Sequence, residues 1–148
     1  MKNFELTNET VVNDFGVTLH RIRAVKDIVT SHFKVKAGEF GGFVEKVDNL
    51  AGNAWVYGDA WVSGNARVYG DAMVFRTNHY LVIGPIGSRG DYTTFFRSKE
   101  GTIKVKCGCF RGTTDEFLDK VEKTHGDSKY AKVYRMATEM ALAQIDMN

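Results

Sequence analysis

Arg89 stands in Gly87-Ser88-Arg89-Gly90, which combines a guanidinium, a hydroxyl and two glycines. Glycines let backbone N–H groups turn toward an anion, and a guanidinium fork pairs phosphate through two parallel hydrogen bonds. Thr93 and Thr94 follow with two more hydroxyls, and Arg97 adds a second guanidinium. Arg111-Gly112-Thr113-Thr114 is another anion candidate, because it opens a predicted helix whose first N–H groups have no partner within the helix. Thr113 also suits the plainer role of N-cap. Tyr92 and Phe95 are near enough in sequence for a base to stack on them. Ser88, Arg89, Tyr92, Thr93, Thr94, Arg97, Arg111 and Thr113 are therefore the candidate ligand-binding residues. The chemistry they suggest is recognition of a small phosphorylated molecule such as a nucleotide, without a Walker lysine motif or a GxGxxG run.

The same region is cationic. Arg89, Arg97, Lys99, Lys104, Lys106 and Arg111 face only Asp91 and Glu100 between positions 89 and 111, although the whole chain carries a net charge of only +2. In a strand over residues 102–110, Ile103, Val105, Cys107 and Cys109 share one face and Thr102, Lys104 and Lys106 the other. Lysines so placed also guard a sheet edge. Cys107 and Cys109 lack the second Cys pair or the His-x-x-x-His spacing of a zinc site. They are expected to pack as small apolar groups, and a disulfide between them would be strained. No metal and no cofactor are expected.

A chain of 148 residues is long enough to bury a sizeable core without disulfides. No stretch approaches the about 20 apolar residues of a membrane span, and no signal peptide is evident, so a cytoplasmic protein is expected. Phe4–Val12 reads as a strand, Asn13 to Gly16 as a turn and residues 17–25 as a second strand. Residues 35–46 read as an irregular first coil rich in glycine. Past residue 78 come a strand at 80–83, a hairpin of 92–97 with 102–110 about Ser98-Lys99-Glu100-Gly101, and two helices. Thr113 and Glu116 form a capping box for the first helix, and Gly126 ends it. Asp127 caps the second, whose apolar stripe is Tyr130, Val133, Tyr134, Ala137, Met140, Ala141 and Ile145.

Residues 51–75 repeat a six-residue unit, Ala-x-Val-x-Gly-Asn/Asp. Ala54, Ala60, Ala66 and Ala72 hold one register, and Val56, Val62, Val68 and Val74 hold the position two residues later. Side chains alternate along a strand, so Ala and Val share an interior face while Trp55, Trp61, Arg67 and Met73 point out. The Gly-Asn/Asp pairs make corners. Outward rings at this density need cover, so Trp55, Tyr57, Trp61, Tyr69, Met73 and Phe75 are expected to form a subunit interface.

The repeat resembles the hexapeptide repeats of left-handed β-helix proteins, which include many acyltransferases. The match is to the aliphatic position and the small residue four further on, Val56 with Ala60 and Val62 with Ala66. In that family three units make one coil, so four units need cover from flanking segments or another subunit. The family's acyltransferases use a histidine between subunits. His20, His32, His79 and His125 all lie outside the repeats, so an acyltransferase-like enzyme is the least favoured alternative and no catalytic residue is assigned. A second resemblance covers nearly the whole chain. An opening like residues 19–45, Gly-Asn/Asp-Ala repeats, and a tail with Ile83-Gly84-Pro85-Ile86-Gly87-Ser88-Arg89, Cys107-Gly108-Cys109-Phe110 and Thr124-His125-Gly126-Asp127 are similar to small proteins carried by bacteriophages and prophages. That resemblance implies a phage or prophage accessory protein in an infected or lysogenic host, with action against host defences as the expected context.

The expected fold is mainly β with an α+β C-terminus. A β cap (1–50) precedes a short left-handed-β-helix-like core (51–76) and a β-β-β-α-α domain (77–148). The expected function is non-catalytic: a homo-oligomer that sequesters a small phosphorylated ligand. The alternative is an inhibitor or assembly module that binds a host defence protein through its Trp/Tyr surface. Membrane and nucleic acid are not expected partners.

Overall fold

The computed structural model describes residues 2–98 and 101–147. Among them the protein is mainly β with two C-terminal helices. The strands are β1 (Phe4–Val12), β2 (Thr18–Ala24), β3 (Ile28–Val29), β4 (Lys34–Val35), β5 (Phe40–Val44), β6 (Trp55–Val56), β7 (Trp61–Val62), β8 (Met73–Val74), β9 (Tyr80–Ile86), β10 (Asp91–Arg97), β11 (Ile103–Cys107) and β12 (Phe110–Thr113). The helices are α1 (Thr114–His125) and α2 (Lys129–Gln144). The chain divides into two compact units, Met1–Thr77 and Asn78–Asn148.

In the first unit β1 and β2 form an antiparallel hairpin. The Asn13 side chain closes its turn by accepting from the Phe15 and Val17 N–H groups at 2.9 and 3.0 Å. β5 adds antiparallel to β2, and β7 adds parallel to β5. The repeats then pair in parallel with one constant offset. Phe43 faces Trp61, Leu50 faces Val68, Trp55 faces Met73 and Val56 faces Val74, each 18 residues apart. Backbone bonds such as Ala51 N to Val68 O (2.9 Å) and Tyr57 N to Val74 O (2.8 Å) hold this register. The four repeat alanines and four repeat valines are buried, as their alternation requires. The corners at Gly52, Gly58, Gly64 and Gly70 take φ between +57° and +72°, which only glycine adopts freely. Asn49, fully buried, donates to the Gly64 and Ala66 carbonyls at 3.1 and 2.9 Å.

Arg21 fastens the hairpin to the repeats. Its guanidinium bonds Glu9 at 2.7 Å, the Gly41 and Gly58 carbonyls at 2.7 and 3.2 Å, and Asp59 at 3.3 Å, and lies 4.3 Å from the Phe43 ring centre. The hydrogen bond to Glu9 leads the causes that raise its pKa above the usual arginine value.

The outward placement expected of Trp55 is corrected: this residue is 1% exposed. β5 crosses the ring so closely that a Cβ on Gly41 would lie 2.9 Å from it. The expectation took every repeat as an exterior layer, whereas the first is covered by the segment that precedes it. Trp61, Tyr57, Tyr69 and Met73 are half-buried. Phe75 remains 43% exposed and stacks on Tyr57 with ring centres 4.5 Å apart.

The second unit is an antiparallel sheet in the order β12-β11-β10-β9, with α1 and α2 packed on it. Phe95, Ile103 and Val105 from the sheet meet Phe117, Val121, Ala131, Tyr134, Ala137, Ala141 and Ile145 from the helical segment. Four strands replace the three expected, because the chain turns at Gly108 (φ +56°) and splits residues 102–110. Cys109 therefore sits on a turn and does not share the face of Cys107. The hairpin closes with Ser98 N to Thr102 O at 2.7 Å; the expected tip residues Lys99 and Glu100 lie outside the described residues.

The capping box forms as its residue types dictate: Glu116 N donates to Thr113 Oγ1 at 3.1 Å and Thr113 N to Glu116 Oε1 at 2.9 Å. Those bonds hold the Glu116 carboxyl below the usual carboxylate range. Gly126 ends α1 as expected. Ser128 rather than Asp127 caps α2, one residue nearer its start, and accepts from Ala131 N at 3.4 Å. The buried stripe of α2 is also rotated. Small Ala131 and Thr138 are inside, while Tyr130 and Met140 are exposed.

Candidate functional site

A cavity of about 350 Å³ opens in the second unit. Three sequence segments and one residue of α2 make its wall. The turn after β9 contributes Ser88 and Arg89, and β10 begins with Asp91. The β11–β12 turn contributes Cys107, Gly108 and Cys109, followed by Phe110. α1 presents Phe117, Lys120, Val121, Thr124 and His125, which recur at its three- to four-residue period on one side. Tyr134 reaches in from α2. Gly87 makes that reach possible, because a Cβ there would collide with the phenol, and its φ of +82° suits glycine.

The wall is aromatic at depth and charged nearer its mouth. Phe117 lies 5.4 Å from the Phe110 ring centre and 5.5 Å from that of Tyr134. His125 lies 5.8 Å from Tyr134, with the rings inclined by 30°. Arg89, from the turn after β9, and Lys120, from α1, bring positive charge, and Asp91 brings one carboxylate. Asp91 accepts from its neighbour Tyr92 N at 2.8 Å through one oxygen. Burial pushes the Tyr134 phenol up to about 12, with further upward contributions from Cys107 and Asp91 and a downward one from Arg89. Tyr134 thus keeps its O–H as a donor throughout the neutral range. Thr93 Oγ1 donates to Cys107 Sγ at 3.2 Å.

Of the eight candidate binding residues, Ser88 and Arg89 line this cavity. Thr93 and Thr94 do not. They are 0% and 1% exposed within β10, because they lie in the middle of a central strand. Tyr92 is partly exposed beside a register shift between β9 and β10. Arg97 lies at the other end of the seven-residue β10, six positions beyond Asp91. Arg111 is exposed on β12, and Thr113 spends its hydroxyl on the helix cap. Lys120 carries no motif, and Thr124 and His125 stand in the sequence only as part of Thr124-His125-Gly126-Asp127 and, for His125, as one of four histidines outside the repeats, not as ligand-binding candidates. Their signal was the helical period itself, since they follow Phe117 and Val121 around α1.

Cys107 and Cys109 are free thiols. Among the described residues, no three His, Cys, Asp or Glu side chains are grouped so as to hold a metal ion. Among the same residues, no helix is long and apolar enough to cross a membrane. No protein-family model, curated protein or solved structure matches this chain.

The arrangement suits a ligand that is flat at one end and anionic at the other. The aromatic wall, edge-on between Phe117 and Tyr134 and tilted between Phe110 and Phe117, offers apolar area to a planar group, and the guanidinium and ammonium can pair with an anion.

Proposed function

We propose that the cavity of the second unit binds a small phosphorylated ligand carrying a planar ring, a nucleotide being the best chemical fit, and that the protein sequesters this ligand without transforming it. The observation that carries the proposal is the convergence of Arg89 and Ser88 with Lys120 around an aromatic wall of Phe110, Phe117 and Tyr134. The likeness to phage- and prophage-borne small proteins supports an accessory role in an infected or lysogenic cell, where holding a nucleotide signal would blunt a host defence. The constant 18-residue parallel offset supports a short left-handed β-helix-like coil in the first unit, capped by its N-terminal strands. A second proposal, capture of a host protein, draws on the Tyr57–Phe75 stack and on Phe33, whose ring meets Tyr57 edge-on at 6.2 Å.

Calorimetric titration with nucleoside 5′-monophosphates and inorganic phosphate tests the first proposal. Hydrogen bonds to charged groups contribute about 1.5–3 kcal/mol, so Arg89→Ala should weaken nucleotide binding roughly 10- to 150-fold. Arg89→Lys should recover part of the loss, since lysine acts as a point charge. Lys104→Ala, outside the cavity, should lose far less. Equal losses at Arg89 and Lys104 would reduce the effect to general electrostatics. Turnover of a nucleotide beyond one equivalent per chain would replace sequestration with catalysis.

A further inference from the structure

We propose that two copies of this chain pair through the outer face of α2, antiparallel and centred on Met136. The buried stripe of α2, Ala131, Tyr134, Ala137, Thr138 and Ala141, fixes which side faces the core. Residues of an α-helix advance by about 100° each, so Met136 falls on the side opposite that stripe. It is 58% exposed, and Met140 on its flank is 50% exposed. Val133 lies on the same flank as Met140, whereas Lys132 and Glu139 lie together on the other flank.

These positions are self-complementary. A two-fold axis perpendicular to two antiparallel helices, passing beside Met136, sets each residue near the one three or four residues beyond Met136 on its partner, and keeps each flank on its own side. Lys132 then meets Glu139 of the partner subunit on one flank. Val133 meets Met140 of the partner subunit on the other. Met136 meets its own copy at the centre. Each contact occurs twice, so the strip supplies an apolar seam with two flanking pairs of opposite charge. An unrelated apolar partner would need the methionines alone. Opposite charges on one flank, four residues before and three after the same central residue, are what a second copy requires. Arg135 lies off this strip and donates to the Gly126 carbonyl at 3.1 Å. A single-helix seam is smaller than the standard stable interface, so the pairing should be reversible and concentration-dependent.

Sedimentation of the full chain over a range of concentrations tests this. The native chain should pass from one copy to two. Met136→Glu places two carboxylates at the centre and should abolish the pairing. Lys132→Glu and Glu139→Lys, each alone, replace attraction by repulsion on one flank at both symmetric sites and should weaken pairing by about tenfold. Mixing those two variants should restore it, because each then faces the opposite charge, and the double exchange in one chain should restore it too. The three substituted positions, Lys132, Met136 and Glu139, are exposed, so circular dichroism should show unchanged helix content. A chain with only one copy at every concentration, an assembly indifferent to Met136→Glu, or single variants not rescued by mixing would each overturn the proposal.

Discussion

Tyr134 and Tyr57 show how one side chain reports its surroundings. Burial leads the causes that push both phenols up to about 12, well above the usual value of 10.0. A raised acid pKa in the folded state means that the unfolded chain gives up its proton first. The stabilisation from each buried phenol is therefore complete below about pH 10 and is lost as pH rises to about 12. Spectrophotometric titration of the tyrosines should resolve a late-ionising class, and Tyr134→Phe should remove one member of it. If Tyr134→Phe left the late class undiminished, the phenol would not be buried in the cavity wall. Tyr134 was legible in the sequence as a core residue of the second helix, but its part in a cavity was not. That part depends on Gly87, distant in sequence, giving up its Cβ position to the ring.

At the scale of elements, the sequence announced most clearly what is local or periodic. β1 is legible in Phe4–Val12, the α1 cap in Thr113 and Glu116, and the repeat interior in its alanines and valines. What it concealed depends on distant segments. Trp55 reads as an outward residue until β5 is laid over it, and α2 reads as turned toward Tyr130 and Met140 until the sheet selects Ala131 and Thr138. The cavity was half legible for the same reason. The Ser88-Arg89 loop stands out by composition, whereas Lys120, Thr124 and His125 matter only because α1 passes beside the β11–β12 turn. The burial of Trp55 makes a direct prediction. Trp55→Ala should cost about 3–5 kcal/mol of stability, a core truncation, while the half-buried Trp61→Ala should cost less. Val62→Asp should cost more than either or prevent folding, since it buries an unpaired charge between strands. Denaturant unfolding of the three variants ranks them, and equal losses at Trp55 and Trp61 would contradict the different cover of the two rings.

At the scale of the whole molecule, assembly is proposed for the outer face of α2 and is an expectation for the aromatic side of the repeats. The two surfaces predict separable behaviour. Trp61→Ala should remove any species larger than the α2-mediated pair and leave that pair intact, as light scattering would show. A mass distribution unchanged by Trp61→Ala would exclude Trp61 from contacts between copies and leave the repeat aromatics to be covered within one chain. The 18-residue offset of the parallel pairs also bears on the gene. Copying errors that add or drop residues between Ala54 and Val74 are filtered by it. An odd insertion or deletion within a strand turns the valines that follow outward. In the proposed β-helix-like coil, a duplication of the full 18 would repeat every partner pair and add one strand spacing, about 4.8 Å. On that proposed coil, the lineage of this protein could lengthen by a whole turn in a single event, with the residues of the cavity untouched.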